Sequence, residues 1–137
     1  MTDEQKTLVR NSYAKISPDA PAVAALFYRR LFELDPNLRR LFKADMAEQG
    51  RKLMAMIGTA VANLDQIETI VPAVSQLGER HAGYGVKDAD YETVGTALLW
   101  TLEQGLGEAF DPPAREAWTV CYGTLAGVMK NAAAAAS

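Results

Sequence analysis

The sequence predicts an all-α domain of six to eight helices. Three observations carry that expectation. Apolar residues recur at helical spacing along nearly the whole chain. No alternating β-branched run bounded by turn residues announces a strand. Proline punctuates the chain at Ser17-Pro18, Asp35-Pro36 and Asp111-Pro112-Pro113, so helix lengths are uneven and some connections turn sharply, unlike an even four-helix bundle.

The first helix is expected to start after Thr2, where Asp3 and Glu4 suit its positive end, and to run to about Ile16. Ser17-Pro18 breaks it, and Ser17 or Asp19 can cap the next helix. This second helix carries Val23, Leu26, Phe27, Leu31 and Phe32. Asp35-Pro36 stops it and opens a short turn through Leu38 and Leu41 to Phe42. A polar link, Lys43 to Met46, leads to a long helix from about Ala47 to Leu64, with Leu53, Met56, Ile57, Ala60 and Val61 as apolar positions. A further helix spans Ile67 or Val71 to Ala82. Asp88 or Asp90 caps its successor, which reaches Phe110. Asp111-Pro112-Pro113 opens the last helix, since proline fits a first helical turn.

The 137 residues fit one domain, 1–137, in which 132–137 form a tail that frays or extends the last helix. A domain near this size buries roughly two-thirds of the surface its unfolded chain exposes, enough for a real core. Net charge is −3 with no basic stripe, which argues against nucleic acid as a partner. No apolar run is long enough to span a membrane. The N-terminus is polar and lacks an apolar signal core. Cys121 is the only cysteine, so neither an internal disulfide nor a thiolate zinc site can form. A cytoplasmic location is expected.

His81 is the only histidine. One imidazole cannot build a multi-histidine metal site, but it can be the single axial ligand of a haem iron. Ile70, Val74, Leu77 and His81 follow one another at i, i+4, i+7 and i+11, so one helix face stays apolar until it reaches the imidazole. Such a histidine can present its far ring nitrogen to a metal and give its near N–H to a carbonyl one turn back, at Leu77. Gly83 and Gly85 would let the chain turn close under a flat cofactor. The commoner role of a lone histidine on an apolar face is simpler: a core or surface residue satisfied by a backbone contact.

A second set of residues lies upstream. Ala24, Tyr28, Leu31 and Phe32 share a face of the second helix, and Gln49, Leu53, Met56 and Ala60 share a face of the long one. Tyr28 and Gln49 are polar tips on apolar stripes and need partners if buried. They can satisfy each other across a crossing, or converge on a small polar ligand such as dioxygen. Ala24 and Gly50 are small, so the two helices can cross closely there. Phe42 is either a core aromatic or a ring set against a porphyrin face. Lys52 and Arg80 are either solvated charges or partners of haem propionates.

These residues together resemble the globin family, most of all single-domain bacterial globins and the globin half of flavohaemoglobins, with neuroglobin-like features. The matching pieces are Leu26 to Phe32, Asp35-Pro36, Leu41-Phe42, Gln49 to Met54, Leu77 to Val86, Tyr91 to Gly95, and Ala117-Trp118 with Tyr122-Gly123. They span most of the chain, and their order and spacing are specific in combination. The resemblance implies a globin fold around a haem b pocket. It makes His81 the proximal iron ligand and Phe42 the wedging phenylalanine. Tyr28 becomes the distal tyrosine, Gln49 takes the position many animal globins fill with histidine, and Leu53 is the gate beside them. Val86, Val94 and Leu98 match haem-lining positions. Tyr91 matches the proximal-side tyrosine of flavohaemoglobins. The glutamate that accompanies it there falls near Ala133 here and is missing, which argues against a strongly electron-pushing proximal side.

Such a pocket implies reversible, high-affinity dioxygen binding, with nitric oxide and carbon monoxide as further ligands. A net hydrogen bond is worth about 0.5–1.5 kcal/mol, so two distal donors can slow oxygen loss by roughly a hundredfold. Nitric oxide dioxygenation to nitrate would suit it. That turnover needs electrons, and no phosphate-cradling glycine motif or flavin domain is present, so a separate reductase is expected. Two other readings stay open: a non-catalytic oxygen carrier or store, and a haem-free interaction module, against which His81 and Phe42 argue.

Overall fold

The computed structural model describes residues 1–42 and 45–136. The helices are α1 (Asp3–Ile16), α2 (Ala20–Leu34), α3 (Met46–Ala62), α4 (Val71–Gly83), α5 (Asp88–Leu106) and α6 (Pro112–Ala136). Single-turn and two-turn 3₁₀ segments at Ser17–Asp19, Pro36–Leu41, Leu64–Thr69 and Gly107–Ala109 join them. No strand occurs among the described residues, so the all-α expectation holds. No helix is long and apolar enough to cross a membrane among those residues.

Local chemistry explains the boundaries. The Thr2 hydroxyl accepts from the Gln5 backbone N–H at 3.1 Å while the Gln5 side chain accepts from Thr2 N–H at 3.0 Å, a reciprocal cap for α1. Asp35 accepts from Asn37 N–H at 3.1 Å and opens the Pro36–Leu41 turn. At the start of α5, Asp90 accepts from Lys87 N–H at 2.8 Å. Asp111 accepts from Ala114 N–H at 3.0 Å and caps α6.

Several expected details come out differently. Neither Ser17 nor Asp19 caps α2 through its side chain; α1 instead tightens into a 3₁₀ turn that hands directly on to α2. The long helix α3 stops at Ala62, and a 3₁₀ segment kinked at Gln66 intervenes before α4. The helix expected to reach Phe110 ends at Leu106, because Gly107 adopts a positive φ of 56° that a helix cannot continue. Of the polar link, Lys43 and Ala44 lie outside the described residues, Asp45 is the residue before α3, and Met46 begins it. In the tail, the alanines continue α6 to Ala136, and Ser137 lies outside the described residues.

The core has three apolar clusters. The first joins α1, α3, α5 and α6 around Val9, Leu102, Ala117 and Trp118. The second joins α2, the Pro36–Leu41 turn and α5 around Phe27, Tyr28, Leu31 and Ala97. The third joins α3 and α4 around Ala60, Ile70 and Val74, with α6 closing over it. Two glycines set the spacing. A Cβ on Gly50 would stand 2.9 Å from the Ala24 Cβ, so α2 and α3 cross at touching distance, as the small pair suggested. A Cβ on Gly78 would stand 2.5 Å from the Met129 carbonyl oxygen, so α4 and α6 touch backbone to backbone. Clusters that pack this closely in pairs leave a space where all three meet.

Candidate functional site

That space is a cavity of about 200 Å³ with an almost wholly apolar wall. All three clusters contribute to it: Leu98 and Trp118, Phe27 and Leu31, Ala60 and Val74. Its one imidazole belongs to His81.

His81 sits near the C-terminus of α4, half-buried. Its Nδ1 lies 2.8 Å from the Leu77 carbonyl oxygen, one turn back. A carbonyl only accepts, so Nδ1 carries the proton and Nε2 keeps its lone pair. Burial pulls the His81 pKa below its usual 6.5; the Leu77 carbonyl opposes that shift and the neighbouring Arg80 charge adds to it. The ring is thereby held neutral, in the tautomer that can ligate a metal through Nε2. The chain then turns out of the helix: Tyr84 N–H donates to the His81 carbonyl at 3.1 Å and Val86 N–H to the same oxygen at 3.0 Å. Gly85 takes a φ of 95°, which makes the turn feasible, whereas Gly83 is an ordinary helical residue.

Among the other residues singled out in the sequence, Phe42, Leu53 and Val86 line the cavity. So do Tyr91, Val94 and Leu98. Tyr28, Gln49, Lys52 and Arg80 do not line it. Tyr28 is buried just behind the wall, its ring 5.3 Å from that of Phe42 and 5.1 Å from that of Phe27. Its hydroxyl donates to the backbone carbonyl of Gln49 at 3.3 Å. The two polar tips do meet across the Ala24–Gly50 crossing, but through the Gln49 main chain. Phe27 and Leu31 are what α2 presents to the cavity. Lys52 is exposed and pairs with Glu48 at 3.8 Å, one turn back on its own helix. Arg80 is exposed, because one residue's rotation from His81 carries it toward the outer face of α4.

Sequence reasoning missed the contribution of α6. Trp118, Tyr122, Leu125 and Met129 all reach the cavity, as does the buried Cys121, whose thiol is pushed up to about 11 by burial. The signal was present: these positions run i, i+4, i+7 and i+11 along one face. Tyr122 lies over Gly95 and donates its hydroxyl to the Tyr91 carbonyl at 2.7 Å, joining α6 to α5. The Tyr91 hydroxyl, by contrast, is buried without a partner among the described residues, and burial raises its pKa, with Asp88 adding to the shift. Lys130 Nζ lies 5.7 Å over the Tyr91 ring.

What could occupy such a space is constrained. No group of three or more His, Cys, Asp or Glu residues able to hold a metal exists among the described residues. A metal here would have to arrive with its other ligands already in place. A flat apolar macrocycle with iron at its centre meets that need: the wall shields the ring, and a neutral imidazole with a free Nε2 supplies the remaining ligand. The residues present fit a haem.

The sequence profile of the globin family matches residues 25–129. The chain belongs to the globin family. Globins generally hold haem iron and bind small gas ligands. Among curated relatives, neuroglobin-1 of Oncorhynchus mykiss is 28% identical over 145 aligned residues, covering 96% of this globin and 91% of that protein. Neuroglobin of Dissostichus mawsoni is 29% identical with the same coverage. Among solved structures, a nitric oxide dioxygenase-like protein of Rhodothermus marinus, engineered as a carbene transferase, superposes with a TM-score of 0.89. It is 25% identical and covers 98% of this globin and 94% of its own chain.

Proposed function

We propose that this globin binds haem b through His81 and uses it to bind dioxygen reversibly, in the service of nitric oxide dioxygenation to nitrate. The observation that carries the reading is the Leu77–His81 contact at the wall of an apolar cavity. Haem supplies the iron that takes a diatomic ligand and exchanges electrons. The chain supplies the rest. The Leu77 carbonyl orients the imidazole and increases its basicity as a ligand. Phe42, Leu53, Val86, Val94 and Leu98 keep water from the ring and hold it by apolar contact. Tyr28 and Gln49 are the distal donors. For that role the Tyr28 hydroxyl turns from the Gln49 carbonyl, a partner it holds at the long end of hydrogen-bond range. Tyr91 lines the cavity, and its buried hydroxyl has no hydrogen-bond partner among the described residues. Lys52 and Arg80 serve the propionates only if their long side chains swing in from solvent. A separate reductase returns the electrons that turnover consumes. Similarity to a nitric oxide dioxygenase-like protein and to neuroglobins supports the choice of chemistry.

One observation favours a second reading, a non-catalytic oxygen carrier: both distal donors stand off the cavity wall. Spectra and turnover separate the readings. Haem-supplemented protein is to be examined ferric, ferrous and under oxygen, and then supplied with nitric oxide and a reductase. A five-coordinate ferrous spectrum, a stable oxy form and sustained nitrate production are expected. A stable oxy form without turnover would leave a carrier. A protein that stays colourless would leave only an interaction module.

A further inference from the structure

The helix that carries His81 is held mostly from one side. α4 packs chiefly on α6, and the Leu64–Thr69 turn supports only its start. Toward the interior it meets the cavity, through Val74, Leu77 and His81. The placement of His81 therefore depends chiefly on α6. The tightest point of that contact is Gly78, where an added Cβ would lie 2.5 Å from the Met129 carbonyl oxygen and 2.6 Å from Met129 Cα. Both are backbone atoms, which cannot swing aside as a side-chain tip can. A Cβ on the other glycine of this helix, Gly83, would meet nothing within 4 Å among the described residues.

We propose that Gly78 is a positioning residue for His81: its missing side chain lets α4 rest on the α6 backbone at Met129, and that contact sets how far the imidazole reaches into the cavity. The proposal rests on the reading of His81 as the iron ligand. Non-bonded carbons settle about 3.5–4.0 Å apart, so an alanine at 78 forces the backbones apart by roughly 1 Å. A helix moves as a rod, and His81 lies less than one turn further on, about 4.5 Å along the axis. The Nδ1 contact to Leu77 travels with the same helix and cannot buffer the shift. Metal–ligand distances hold to within about 0.2 Å, so a displacement of that size must register at the iron.

The test compares wild-type protein with Gly78→Ala, using Gly123→Ala as control. Gly123 lies on α6, and its added Cβ would meet nothing within 4 Å among the described residues. Two readouts are taken. One is the iron–histidine stretching band of the ferrous haem-loaded protein by resonance Raman. The other is the ring NMR resonances of His81 in haem-free protein at fixed pH, unambiguous because no second histidine exists. Gly78→Ala is expected to shift both while still melting cooperatively, and Gly123→Ala to shift neither. An unmoved band and unmoved ring resonances in Gly78→Ala would overturn the proposal. So would loss of cooperative folding, since the contact would then hold the domain and not one side chain. A wild-type protein lacking the iron–histidine band would sink the ligand reading alone, and the haem-free resonances would still decide whether Gly78 places His81.

Discussion

The Tyr28 hydroxyl donates its proton to the main-chain carbonyl of Gln49, 3.3 Å away, and leaves the Gln49 side chain out of the contact. The bond is long, and burial pushes the phenol up to about 12, so the group stays a neutral donor at any physiological pH. A neutral donor with a weak present partner can be recruited by a polar ligand. Tyr28→Phe is therefore expected to speed oxygen dissociation at least about tenfold, the effect of about 1.4 kcal/mol. Stopped-flow oxygen release from the ferrous protein measures it; an unchanged rate would mean that the hydroxyl never leaves the carbonyl.

His81→Ala is expected to lose most haem retention, since no other imidazole exists to replace it. Haem content after gel filtration of supplemented protein reads this out. Normal content with an unaltered ferrous spectrum would remove His81 from the iron.

The same residue predicts an acid dependence in the haem-free protein. Folded His81 holds its proton less tightly than the unfolded chain, whose pKa is near the ordinary 6.5. The unfolded state therefore binds more protons just below that value. Stability is full above pH 6.5 and falls as pH drops toward the lowered folded value. The Asp65 carboxyl, held below its ordinary 3.8 by hydrogen bonds from Arg10 and Lys6, acts only at more acid pH. Urea titrations between about pH 7 and 5 should show the slope in wild type and a flatter one in His81→Gln.

At the alkaline end the sign reverses. Tyr28 and Tyr122 are both raised well above 10.0 by burial, so the folded chain keeps protons that the unfolded chain gives up. Stability should fall as pH climbs past 10. Phenolate absorbance should rise in two stages, the second coinciding with loss of helical circular dichroism.

The Ala24–Gly50 crossing gives a double-mutant test. Gly50→Ala alone puts two Cβ carbons 2.9 Å apart and should cost about 1–3 kcal/mol. Adding Ala24→Gly removes the opposing carbon and should restore much of that loss. No recovery would place the strain elsewhere.

Most of the architecture was legible because proline and caps mark it. Asp35-Pro36 and Asp111-Pro112 bound helices where the sequence puts them, and the Leu77–His81 spacing foretold a contact found at 2.8 Å. The Ala24–Gly50 crossing was equally readable from residue size. The early end of α5 was not, because one glycine's positive φ at 107 decides it and glycine alone does not announce its conformation. Which α2 residue lines the cavity was not legible: Phe27 and Tyr28 are adjacent, both aromatic, and helical phase alone cannot say which faces inward when α2 buries both. Lys52 went to Glu48, a partner offered by its own helix before any distant one.

Cys121 is buried in the cavity wall, and that burial pushes its thiol up to about 11. Since only the thiolate reacts readily, the native chain is expected to label little with maleimides at neutral pH. Any cysteine introduced on an exposed helix face thus becomes the single labelled position, and fluorophores or spin probes can be placed on this protein without first removing the natural sulfur.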